Sequence, residues 1–254
     1  MNQSERKTMK HNLLTSALCL VLLMVMMLST TLAWFTDTQS NVNTMVAGKI
    51  SIEQTETDKD GNTFVGTNFI MMPAVEIVKN VTVENTGNQP AYVRTLFAFE
   101  DKAYIDENGV DRTVVDMLTA KTPDGVSIVI PTGTDKVQFT VTRNVDGENV
   151  TASYTVGYYV HPIALSHEDD KDDITVLNSI TLKGEADNEW QIAVDDDYEL
   201  IVLSQASQVS GLGDDAKVAL NTAFAPITGD WCAAWFARVL GGTANGNAIT
   251  IANP

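Results

Sequence analysis

The residues of this 254-residue chain whose types could do chemistry together are few, and the first of them are histidines. His161 and His167 lie six apart across Pro162, and the acidic tract Glu168–Asp173 follows directly. Imidazoles beside carboxylates are the donor set of a divalent metal centre, and such a centre would activate water for hydrolysis. The third histidine, His11, sits far away in a basic and apolar amino-terminal stretch. No H-E-x-x-H or C-x-x-C occurs, so the helical two-histidine zinc arrangement cannot be drawn, and two surface histidines in a strand-end loop is the competing reading. There is also no G-x-S-x-G, no phosphate-binding P-loop, and no G-x-G-x-x-G opening a helix. The expectation is a protein that is not an enzyme, with no cofactor and no resident metal.

Carboxylates cluster elsewhere too. Glu168–Asp173 and Asp195–Asp197 read as solvated loops, though each offers the clustered oxygens that Ca²⁺ prefers. Asp58-Lys59-Asp60-Gly61-Asn62 resembles part of a calcium loop, but its glycine is fourth rather than sixth and its twelfth residue is Phe69 rather than Glu. The formal charge is −17, which argues against nucleic-acid partners and anionic lipid, since both need Lys and Arg against phosphate. Of two cysteines, Cys19 lies in the amino-terminal apolar run. Cys232 sits among apolar residues and reads as a buried, inert thiol. With no disulfide framework, stability must come from a core.

Most of the elements that must carry these residues read as strands. Alternation or β-branched enrichment marks Lys49–Glu56, Val75–Asn85, Ala91–Glu100, Val126–Ile130, Lys136–Arg143, Val150–His161, Ile174–Leu182 and Tyr198–Gln205. Asn85–Pro90 is a turn cluster, predicting a hairpin or a sandwich corner; Asn144–Asn149 carries Asp-Gly at its centre. Helices are expected at Asp111–Ala120, Asp214–Phe224 and Thr228–Leu240, the last with Trp231, Trp235, Phe236 and Val239 as a packing stripe. A short closing strand is expected at Ala248–Ala252. Many strands with Gly, Asn and Pro turns, and no βαβ spacing, predict an all-β antiparallel sandwich of jelly-roll kind with a few short helices.

The amino terminus reads as an export cassette. Arg6, Lys7 and Lys10 precede an apolar run from Leu13 to Leu28, and then come small and polar residues up to Ala33. That order is a signal peptide cut between Ala33 and Trp34, with a signal-peptide helix over the apolar run. A retained anchor is the alternative, since Leu13–Ala33 is 21 residues and a bilayer needs ~20. Against it, no basic stop-transfer cluster follows, and the first charge is Asp37. Cutting there removes Arg6, Lys7, Lys10 and Glu5 and takes the formal charge from −17 to −19.

Three stretches carry a resemblance. LLTSALCLVLLMVMMLSTTLAWFTDTQSNVNTMVAGKISI, VKNVTVENTGNQPAYVR (Val78–Arg94) and VLSQASQVSGLGDDAKVALNTAF together resemble the TasA and camelysin group of secreted proteins of Gram-positive bacteria, processed by the dedicated signal peptidase SipW. The resemblance implies a jelly-roll domain secreted to the cell surface or biofilm matrix, where members build fibres by donor-strand exchange with copies of themselves or homologous subunits. On this reading residues 1–33 are the signal peptide, 34–46 the donor segment and 47–254 the jelly-roll domain with a helical carboxy-terminal part. Trp34, Phe35, Thr36, Asp37, Val42 and Met45 belong to the donor segment, and Ala47-Gly48 form its hinge. The membrane enters only through the uncleaved signal peptide. Camelysin is described as a metallopeptidase, but the zinc-protease motif is missing here, so that assignment is not carried over. TGDWCAAWFARVLGGTANGNAITIANP is not matched to the group. The alternatives left open are a secreted metal-dependent hydrolase using His161 and His167, and a monomeric surface adhesion domain.

Overall fold

A computed structural model describes residues 49–65, 71–131, 133–167, 172–194, 198–213 and 215–251. Every described residue belongs to one compact unit that begins at Gly48. The expected signal peptide, the Ala33/Trp34 cut, Trp34, Phe35, Thr36, Asp37, Val42, Met45 and the hinge Ala47-Gly48 all lie outside the described residues.

This unit is mostly β. Its strands are β1 (Ile52–Thr57), β2 (Glu76–Asn85), β3 (Ala91–Glu100), β4 (Ala103–Ile105), β5 (Asp111–Thr113), β6 (Leu118–Lys121), β7 (Gln138–Val145), β8 (Glu148–Val160), β9 (Asp173–Leu182), β10 (Leu200–Gln208), β11 (Thr243–Asn245) and β12 (Ala248–Ile251). Its helices are α1 (Asn188–Val194), α2 (Ala216–Phe224) and α3 (Gly229–Leu240). One sheet runs β1-β2-β9-β6 and a larger one β10-β3-β8-β7-β12-β11, with β4-β5 a separate ribbon. The strand pairings are antiparallel, β12 with β11 included, except that β12 lies parallel to β7, a departure from the expected antiparallel sandwich.

Two cores explain why β3 does not alternate. Val93, Phe97 and Phe99 of β3 face Val81 and Val83 of β2 and Val176 and Ile180 of β9 in one cluster. Leu96 and Ala98, on the opposite face of β3, join Phe139, Val156 and the α3 residues Cys232 and Phe236 in a second. A strand covered on both sides reads as a continuous apolar run. The Asn85–Pro90 turn is a corner, carrying the chain from one sheet to the other. Asn85 holds it by donating from Nδ2 to Gln89 O and Ser166 O, each at 2.9 Å.

Several expectations are corrected. Asp111–Ala120 is not a helix but β5, a 3₁₀ turn over Val114–Met117, and the start of β6. Val114, Val115 and Leu118 satisfy a helical period, yet the β-branched run Thr113–Val115 resists continued helix, and Leu118–Lys121 gains a ladder with β9. Val126–Ile130 makes only isolated bridges, Ser127 with Lys121 and Val129 with Tyr158. In α3 the face turned to the core is Cys232, Ala233, Phe236 and Ala237. Of the expected stripe only Phe236 is buried, and Val239 is 52% exposed. The unexpected α1 is capped by Asp187, whose Oδ1 accepts from Trp190 N at 3.0 Å. It is anchored by the buried Trp190, whose Nε1 donates to Val114 O.

Candidate functional site

The larger sheet presents a cationic side chain to its helical cover. Side chains alternate along β3, so Arg94 shares a face with Leu96 and Ala98 and points at α2 and α3. Across the ladder Arg94 is paired with Gln205 of β10. α2 starts where Asp215 accepts from Val218 N at 2.9 Å, and α3 where Thr228 accepts from Trp231 N at 3.3 Å. Between them the chain passes Ala225, Pro226 and Ile227, directly over Arg94.

Arg94 is 1% exposed. Its Nε donates to Gln205 Oε1 at 2.8 Å, Nη1 to Asn221 Oδ1 at 3.1 Å and Nη2 to Ala225 O at 3.3 Å. The guanidinium also lies 4.7 Å from the centre of the Trp231 ring and 5.6 Å from that of Phe224. None of these partners carries negative charge, and no ion pair to Arg94 is found among the described residues. Burial pulls its pKa down to about 10, so it stays charged at neutral pH. Nearby, burial pushes the Cys232 thiol up to about 12, so that group stays neutral and supplies no counter-charge.

Beside Arg94 a cleft of about 540 Å³ opens between the end of β8, residues 129–131, α2 and the α2–α3 linker. Val129, Val137, Val160, Leu220 and Ile227 form its apolar walls, with Arg94 and Asn221 at the polar part of the lining. Lys217 and Asp135, both exposed, also line it. An apolar cavity with one convergent cationic group is the usual form of a small-ligand site.

The sequence-based metal candidates fare differently. His161 is half-buried after β8, its Nδ1 is buried without a hydrogen-bond partner among the described residues, and burial lowers its pKa, Asp124 opposing. His167 is exposed. Among the described residues no group of three or more His, Cys, Asp or Glu is placed to hold a metal. Residues 168–171 and 195–197 of the acidic tracts lie outside the described residues. In the calcium-like loop, Asp58 Oδ1 accepts from Asp60 N and Asn62 N, both at 2.9 Å, which turns that carboxylate onto its own backbone. Among the described residues no helix is long and apolar enough to cross a membrane.

One further polar cluster is structural in form. Asp101 Oδ2 meets Lys136 Nζ at 3.1 Å and accepts from Thr155 Oγ1 at 2.6 Å and Gln138 Nε2 at 3.3 Å, while Oδ1 accepts from Val115 N at 3.2 Å. It ties the end of β3 to β7, β8 and the 3₁₀ turn.

Sequence reasoning missed Arg94. Its one signal is a cation in the middle of the apolar run YVRTLFAF, where a strand covered on one face only would turn it to water. No family model, no curated protein and no solved structure matches this chain.

Proposed function

We propose that this chain is a secreted, non-enzymatic subunit of a cell-surface or matrix fibre, a jelly-roll sandwich released by a signal peptidase from its leader helix. On this reading the freed segment, from Trp34 through Met45 to the hinge Ala47-Gly48, adds as a strand to a neighbouring copy.

The observation that carries the reading is the state of β10. It is nine residues long and stands at the end of the larger sheet, with β3 as its single ladder partner among the described residues, while Ser204 Oγ donates to Gln54 Oε1 of β1 at 2.7 Å. Leu200, Ile201, Val202 and Leu203 remain half-buried along it. A long apolar edge offers unpaired N–H and C=O groups to a further strand. The 12 residues Trp34–Met45 reach ~40 Å when extended at ~3.3 Å each, enough to run along the ~30 Å of β10. Trp34 and Phe35 at the tip would bury apolar surface on a neighbour, at ~25 cal/mol per Å².

Support also comes from the place where the donor segment would leave the domain. Lys49 N donates to Asn88 Oδ1 at 2.6 Å and Lys49 O accepts from Asn88 N at 3.0 Å, so the residue after the hinge is tied to the β2–β3 corner. A segment leaving from a fixed point reaches a neighbour at lower entropic cost.

The test compares the chain beginning at Trp34 with one beginning at Ala47, by light scattering and electron microscopy. The longer form is expected to build fibres and the shorter to stay monomeric, and a free peptide of residues 34–46 should cap growth where a scrambled peptide does not. Two monomeric forms at every concentration and pH would end the fibre reading.

A further inference from the structure

We infer that the cleft beside Arg94 is a binding site for a small apolar monocarboxylate, whose carboxylate pairs with the guanidinium while its hydrocarbon body lies against Val129, Val160, Leu220 and Ile227. Such a site is independent of fibre assembly.

An imbalance of charge marks the place. The chain has 33 acidic residues against 16 basic ones, yet the most deeply buried cation among the described residues is met only by neutral acceptors. A buried charge is costly unless paired, and fixed amide oxygens and rings cover that cost only in part. Hydrogen-bond capacity is unbalanced in the same direction. A guanidinium has five N–H groups, and among the described residues three acceptors meet them, leaving one donor on each terminal nitrogen without a described acceptor. Gln205 turns its oxygen to Arg94, and its Nε2, buried as well, finds no acceptor among the described residues. An excess of donors around a fixed positive charge is a place for an anion.

The cleft decides which anion. At about 540 Å³ it falls within the ~300–1,000 Å³ of small-ligand pockets. Its walls are chiefly aliphatic, so the ligand must carry an apolar body. One guanidinium balances one negative charge, and the acidic Asp135 in the same lining disfavours a dianion such as a phosphate monoester. A planar carboxylate matches two parallel N–H donors, which a sulfate or phosphate oxygen set does less well at a single arginine. Lys217, exposed on the lining, adds attraction during approach.

The test uses the full chain and three eight-carbon probes, octanoate, octanol and octylamine, in isothermal titration calorimetry. Octanoate is expected to saturate a single site, octanol to bind about tenfold more weakly or worse, and octylamine not at all. Arg94→Lys should weaken octanoate about tenfold, because a point charge replaces the fork. Val129→Trp should abolish binding by filling the cleft at a position that is 54% exposed and tolerant of bulk. If Arg94→Lys does not fold, Val129→Trp decides alone. Absent octanoate binding, equal binding of octanol, or binding that survives Val129→Trp each overturns the proposal.

Discussion

Arg143 and Glu199 meet at two points, Nη1 to Oε2 at 2.7 Å and Nη2 to Oε1 at 2.8 Å, and the Tyr154 hydroxyl donates to the same carboxylate. This clamp joins β7 and β8 to the residue preceding β10, at one end of the larger sheet. Burial works to raise the Glu199 pKa, but the hydrogen bonds from Arg143 and Tyr154 outweigh it and the net shift is downward from 4.5.

A carboxyl whose folded pKa is depressed contributes stability that is complete above its unfolded pKa and disappears as pH falls through the folded value. Glu199→Gln is therefore expected to lower the urea midpoint at pH 7, and to converge on the parent protein only as pH falls through the depressed Glu199 pKa, below the ordinary carboxylate range. Parallel losses at pH 7 and below that range would remove the ion pair from the account.

Lys136 and Asp101 form a second pair, with side chains 10% and 2% exposed. Lys136→Met leaves the Asp101 carboxylate buried with neutral donors only, and should cost about 3 kcal/mol in denaturant titration. The double variant with Asp101→Asn should recover part of that loss. A single-variant loss near zero would show the pair to be screened by water.

Gly87 makes room for the strand that follows the hinge. A Cβ there would collide with the Lys49 carbonyl oxygen and lie 3.0 Å from Ser51 N. Gly87→Ala should destabilise the domain by about 1–3 kcal/mol and raise amide exchange over residues 49–57 first. Uniform exchange across the domain would argue against a local role.

Cys232 is 0% exposed and its thiol is pushed up to about 12. Peptide mapping after treatment with a maleimide at pH 8 should find Cys232 unmodified in the native protein and fully modified in guanidinium. Native labelling at the rate of a free thiol would mean that α3 detaches from the sheet.

How much of the fold was legible in the sequence depended on whether local pattern and final burial agreed. Glu76–Asn85 and Ala216–Phe224 agreed, because one face of each is covered and the period shows through. In Asp111–Thr113, Val114–Met117 and Leu118–Lys121 three short elements share one apolar spacing that also fits a helix, so periodicity alone misled. Of the candidate site, the sequence contained Arg94 but not its meaning.

By itself the chain dictated the long strands such as Glu76–Asn85 and Ala91–Glu100 and the helix starts near Asp215 and Thr228, since each depends on neighbours within a few residues. Tertiary structure alone decided that Asn85–Pro90 turns between two sheets, that β12 adds in parallel to β7, and that Arg94 lies beneath α2 with no ion-pair partner among the described residues. These depend on residues far apart in the chain, 111 positions for Arg94 and Gln205 and 127 for Arg94 and Asn221, and local periodicity has no information about what comes to cover a face.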